Sequence, residues 1–177
     1  MALPVTFVAG DVLEAAQLNS NFSYLDAGTQ VASFTEYQAS GTNGGASTSG
    51  SWIKRTLNTT VTNTITGCTL SSSVIALPAG TYRIDAISSF VGSNGANIKL
   101  RNTSDSTDVI LGVNTFNATA APGGSPAMLT GTFTIAATKN FEIQYRVGTG
   151  RAADGLGAAA AFGTNECYTS CTIEKIL

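Results

Sequence analysis

From Phe141 to Val147 the chain alternates without a break. Phe141, Ile143, Tyr145 and Val147 are apolar, and Glu142, Gln144 and Arg146 between them are polar or charged. A period of two puts one set of side chains on each face of an extended strand, which suits a sheet with one buried face. The pattern recurs in shorter pieces. Tyr82, Ile84 and Ala86 point one way, with Arg83 and Asp85 the other; Ile98 and Leu100 alternate with Lys99 and Arg101. Val109, Leu111 and Val113 read as one apolar face, as do Phe133, Ile135 and Ala137. Turn residues punctuate these runs at positions 78–80, 92–95, 102–107 and 138–140. Upstream, residues 30–37, 52–57, 61–70 and 73–77 read as strands, and the Gly/Ser-rich stretch 39–51 as a flexible loop. Downstream, 117–126 and 148–163 read as long loops before a closing strand at 166–176. The expectation is a mainly β protein of about eight to ten antiparallel strands, folded as a β-sandwich. A last strand placed deep in the sheet favours a jelly roll over an up-and-down barrel. No internal repeat is visible.

The first 28 residues differ. Gly10-Asp11 offers a turn and an N-cap, and Glu14 adds negative charge near the positive end of a helix dipole. Val12 and Leu13 form an apolar pair, and Leu18, Phe22 and Leu25 fall on one narrow stripe. A helix with so little apolar surface does not stand alone in water. It is expected to dock on its own β domain, on copies of itself or on a larger assembly. Residues 1–28 are thus an anchoring segment with a short helix, and 29–177 a β domain.

Composition narrows the function. Charged residues make up 11% of the chain and the net charge is −2, which argues against nucleic acid, whose phosphates need a basic face. Solvent faces built from Thr, Ser, Asn, Ala and Gly suit packing in a permanent assembly, and also weak carbohydrate contact. The opening Met1-Ala-Leu-Pro lacks a basic n-region, so no secretion signal is expected, and no stretch reaches the ~18 apolar residues of a membrane span. Asn21, Asn58, Asn102 and Asn117 sit in glycosylation-type triplets that are expected to be chance in a Thr-rich chain. Cys68, Cys167 and Cys171 are an odd set. Cys167 and Cys171 would lie ~13 Å apart along a strand, too far to bridge, and both are read as small core hydrophobes on the face of Ile173.

Chemistry is scarce. The chain has no histidine, which removes the commonest general base and metal ligand, and three scattered cysteines do not make a zinc site. Asp105 and Asp108 read as turn-capping residues, and Arg83 with Asp85 as a surface ion pair. Gly148-Thr-Gly-Arg151 follows a strand and opens no helix, so it does not read as a phosphate cradle. Trp52 and Tyr168 read as ordinary β-domain aromatics. The expectation is no enzyme, no cofactor and no metal.

Two resemblances add to this. Residues 7–26 resemble the N-terminal segments of tailed-bacteriophage fibre and virion-surface proteins: an aromatic, Ala-Gly, an apolar pair, Ala-Ala-Gln-Leu-Asn, then Asn-Phe. The body carries Trp52-Ile-Lys-Arg-Thr-Leu-Asn, Leu77-Pro-Ala-Gly-Thr-Tyr-Arg-Ile, Lys99-Leu-Arg-Asn-Thr-Ser-Asp, Gly131-Thr-Phe-Thr-Ile, Phe141-Glu-Ile-Gln-Tyr-Arg and a final Ile173-Glu-Lys-Ile. In that order these resemble the jelly roll of tumour-necrosis-factor-like and complement-head-like domains, in the versions found at the ends of phage fibres. The resemblance implies a homotrimer made in a host cytoplasm and carried on a virion surface. It would be a tail or head fibre or spike that contacts the host through protein or glycan; the alternative is a decoration protein cementing the head shell. A signalling ligand is disfavoured by the missing secretion signal. Val12, Leu13, Leu18, Phe22 and Leu25 would contact other virion proteins. Strand direction puts loops 92–97, 117–126 and 148–163 at one end and the short turns at the other. This makes Asn94, Asn97, Phe116, Asn117, Arg151, Asp154 and Phe162 the candidate outward recognition residues.

Overall fold

The structure is a computed structural model that describes residues 4–12, 14–26, 29–119 and 123–176. Among these residues one helix, α1 (Ala15–Asp26), precedes eleven strands. They are β1 (Gln30–Gln38), β2 (Ile53–Lys54), β3 (Thr59–Asn63), β4 (Thr69–Ser71), β5 (Val74–Leu77), β6 (Gly80–Val91), β7 (Ala96–Asn102), β8 (Thr107–Leu111), β9 (Gly124–Ile135), β10 (Lys139–Val147) and β11 (Glu166–Lys175). Two antiparallel sheets stack face to face. One runs β3-β1-β11-β6-β9; the other runs β4-β5-β10-β7-β8, with β2 on the same edge of β10 as β5. The last strand lies between β1 and β6, as jelly-roll closure requires.

The alternation writes the core. Phe141, Ile143, Tyr145 and Val147 of β10 meet Tyr82, Ile84 and Phe90 of β6, Ile98 and Leu100 of β7, and Phe34 of β1 in one buried cluster. The Phe133 ring sits between Tyr82 and Phe141, with centroids 5.6 and 5.2 Å away. Offset and tilted aromatic pairs of this kind add to the area they bury.

Several strand expectations are corrected. Only Ile53 and Lys54 of 52–57 are strand; beyond them β5 takes over the edge of β10, and the Leu57 N–H turns to the Ser73 hydroxyl at 3.0 Å. The run 61–70 is two strands in different sheets. Asn63 folds the crossing: its side chain donates to the Cys68 carbonyl at 2.8 Å and accepts from the Ile65 N–H at 3.2 Å. A register shift opposite Leu100 and Arg101 brings Ile110 towards the core with Val109 and leaves Leu111 and Val113 exposed. β9 begins within the expected loop, at Gly124, and admits Pro126 because β9 is the sheet edge and needs no N–H there. It stops at Ile135, so Ala137 is exposed.

Cys167 is also exposed, against expectation. Between Glu36 and Tyr37 the register with β11 slips by one residue, and Tyr168 is the extra residue of the bulge. Tyr168 and Thr169 are therefore both buried in succession, and the alternation reverses on the Cys167 side. Cys171 follows expectation, buried beside Ile173, and Cys68 is a buried free thiol. Burial pushes the Cys68 thiol up to about 11 and that of Cys171 up to about 12.

The helix starts later than expected. The Glu14 carbonyl, not the Asp11 carboxylate, opens it, accepting from Gln17 and Leu18. Asp11 instead accepts from the Val8 N–H behind it, at 2.9 Å. The segment before the helix is clamped back onto it by Asn21, whose amide both donates to and accepts from the backbone of Val5.

Candidate functional site

Three loops meet at one end of the sandwich. The Asn94 N–H donates to the Asn117 carbonyl at 2.9 Å, that of Gly148 to Gly95 at 2.9 Å and that of Thr149 to Ser93 at 2.7 Å. The segment expected to be a flexible loop joins them. The Gly44 N–H donates to the Gly157 carbonyl at 2.9 Å, and Ser47 and Arg151 exchange backbone bonds of 2.8 and 3.0 Å. The contact needs glycine: Gly157 has φ +136°, and a Cβ there would collide with the Tyr168 ring. At the opposite end the short turns meet, with the Thr103 N–H on the Asn140 carbonyl at 2.9 Å. There β1 begins and β11 ends, Gln30 opposite Lys175, so the N-terminal segment enters away from the long loops.

Under the loop end lies a buried polar cluster. Arg55 is fully buried; its Nε donates to the Thr169 hydroxyl at 2.5 Å and its Nη2 to the Leu156 carbonyl at 2.6 Å. Nη2 also stands 3.2 Å from the Glu36 carboxylate, and the guanidinium lies over the Phe90 ring at 5.6 Å. Burial pushes the Glu36 carboxyl up, and the Arg55 charge and the Thr169 hydroxyl pull it back. At the rim the Glu166 carboxylate accepts from the N–H groups of Gly41 (3.0 Å), Ala160 (3.1 Å) and Ala161 (2.8 Å). Those three donors hold its carboxyl below the usual range. Glu36, Arg55 and Glu166 were missed in sequence. A signal existed: Glu36 continues the inward face of Ala32 and Phe34, and Arg55 shares the parity of buried Leu57.

The expected recognition residues divide. Phe162 and Phe116 stand free at the loop tips, 86% and 67% exposed, and Asn94 is exposed in a left-handed turn with φ 47°. Asn117 is buried, bracketing the loop through Ser93 and the Phe90 carbonyl. Arg151 and Asp154 hold each other by two bonds of 2.7 and 2.8 Å inside their loop. These three stabilise the loops rather than present themselves. Asn97 lies on β7, donating to the Gly112 carbonyl at 3.0 Å and to Asn114.

Beside it opens a cleft of about 470 Å³ on the outer face of the second sheet, lined by Trp52, Asn94, Asn97, Asn114, Thr115 and Arg146. The first sheet has a different outer face. Ile87 and Met128 are directly opposed there, 42% and 53% exposed, beside a hollow of about 380 Å³ edged by Asp85, Thr130, Ser170 and Thr172.

Of the expected anchoring residues, Val12, Leu18 and Phe22 are exposed. Leu13 and the side chain of Leu25 lie outside the described residues. Among the described residues, no helix is long and apolar enough to cross a membrane.

No family model matches this chain, and neither does any curated protein. Solved structures do match in fold. Murine APRIL at pH 5.0, a tumour-necrosis-factor-family protein, aligns at TM-score 0.54 and 10% identity, over 84% of this chain and 99% of that one. The same protein at pH 8.0 gives 0.51 and 9%, over 84% and 99%. The globular domain of zebrafish complement 1qA gives 0.48 and 9%, over 84% and 95%. The fold is a tumour-necrosis-factor-like jelly roll.

Proposed function

We propose that this chain is a non-enzymatic structural protein of a tailed-phage virion: a homotrimeric fibre or spike anchored by its N-terminal segment, with the long-loop end turned outward towards the host. The observation that carries the reading is the unburied stripe on α1. Leu18 and Phe22 leave apolar surface in solvent, although the β domain has completed its core without them. A short helix of this kind gains its stability from what it docks on. Entry of the segment at the end opposite the long loops supports the polarity.

The outer face of the first sheet suits self-association. Ile87 and Met128 give it an apolar centre, edged by the hydroxyls of Thr130, Ser170 and Thr172 and by one carboxylate, Asp85, which is already paired with Arg83 and bonded by Thr130. Closed cyclic symmetry would cover the patch on each copy.

Deleting residues 1–27 tests the anchoring. The truncated chain is expected to fold and to be missing from particles assembled in its presence. Normal incorporation overturns the reading, and Phe22→Ala should then be harmless too. Imaging of the full-length chain on its particle separates a fibre from the alternative, a decoration protein on the head shell.

A further inference from the structure

Nine residues of the chain are Lys or Arg. Seven are in ion pairs: Lys54 with Glu142, Arg55 with Glu36, Arg83 with Asp85, Lys99 and Arg101 with Asp108, Lys139 with Asp105, and Arg151 with Asp154. Arg146 has no carboxylate partner and no side-chain hydrogen bond among the described residues, and it is exposed in the cleft of about 470 Å³.

Among the described residues, no acidic side chain lines that cleft. Its other polar groups are neutral amides and a hydroxyl, from Asn94, Asn97, Asn114 and Thr115. The nearby Lys99 does not add free charge: its ammonium is 2.8 Å from Asp108 and lies over the Trp52 ring at 4.4 Å. The cleft therefore offers one uncompensated positive charge, carried by a fork that pairs bidentately with carboxylates. Amides supply both donors and acceptors, as vicinal hydroxyls require. Trp52 and Leu111 supply apolar contact. A phosphate, with close to two negative charges, would find half its charge unmatched, and an acidic peptide would find one cation where it presents several anions.

We propose that this cleft is a binding site for a saccharide bearing a carboxylate, with Arg146 holding the carboxylate, Asn94, Asn114 and Thr115 the ring hydroxyls, and Trp52 the C–H surface; Asn97 holds Asn114 in place. Its volume falls within the range of small-ligand sites. It opens on the second sheet, so association through the Ile87–Met128 face leaves it accessible. The proposal rests on the host-facing role given above and names its ligand class.

Trp52 is the chain's only tryptophan, so its fluorescence reports on this cleft alone. The full-length chain is titrated with glucuronic acid, N-acetylneuraminic acid and, as neutral control, glucose, and binding is checked by saturation-transfer NMR. A saturable response to the two acids and none to glucose is expected. Arg146→Gln should weaken it about tenfold or more, by loss of a charge-assisted pair. Lys175→Gln, the same charge change outside the cleft, should leave it intact. Absence of saturable binding in both measurements, or equal binding by the Arg146→Gln chain, overturns the proposal. Equal binding of a short oligoglutamate peptide through Arg146 overturns the saccharide assignment. The assay needs no particle, so its failure leaves the anchoring untouched, and failure of the truncation test leaves the cleft untouched.

Discussion

At the scale of single residues, Arg55 and Glu36 form the most consequential pair. Two charges taken out of water do not gain much as a pair, but removal of one leaves the other buried and unmatched. Arg55→Ala strands the Glu36 carboxylate and removes donors from Thr169 and the Leu156 carbonyl. It is expected to destabilise the fold by about 3–5 kcal/mol in chemical denaturation; a loss under about 1 kcal/mol would mean that water or a rearranged side chain replaces it. The thiols give a second residue-scale test. All three thiols are pushed up by desolvation, and access separates them: Cys68 and Cys171 are buried, whereas Cys167 is exposed. Iodoacetamide on the native chain should modify Cys167 alone, with the other two labelled only after denaturation; native labelling of Cys171 would contradict its place in the core.

At the scale of elements, the segment 39–51 and the loop 148–163 are held together by one carboxylate. Glu166 binds protons more weakly folded than unfolded, because three backbone N–H groups stabilise its charged form. Its contribution is fully present above the ordinary glutamate range and is lost as pH falls through the lowered folded value. The stability difference between the native chain and Glu166→Gln, measured by thermal melts across pH, should therefore shrink as the solution is acidified; a difference that grows towards acid would refute the role. Much of this level was legible in sequence. Strands whose side chains obey one parity, such as β10 and β6, could be read directly. Reading failed where backbone geometry breaks parity: the bulge at Tyr168 turns Cys167 out, and the shift near Leu100 turns Ile110 in. The candidate site was legible as a loop cluster but not in its roles. Asn117 and Arg151 look like surface residues in sequence, and only loop-to-loop bonding shows that they are used internally. Arg146 looked like one polar member of an alternating strand. Its lack of a partner is a property of three segments meeting in space.

At the scale of the whole molecule, the proposed self-association uses the outer face of the first sheet. A charge at the centre of its outer face should prevent assembly: Ile87→Glu is expected to convert a trimer, measured by light scattering at micromolar concentration, into monomer with the fold intact. A wild-type chain that is already monomeric there would defeat the self-association argument. The order β3-β1-β11-β6-β9 carries one more consequence. The ten residues of β11 fill a slot between β1 and β6, two strands made far earlier, so β1 has no partner on that side until β11 has been made. A nascent chain that lacks β11 holds an open edge at β1 and another at β6. Closure is then dominated by contacts distant in sequence, which are slow to form. A chain truncated before Glu166 should be protease-sensitive along its whole length, and the same chain extended through β11 should be resistant.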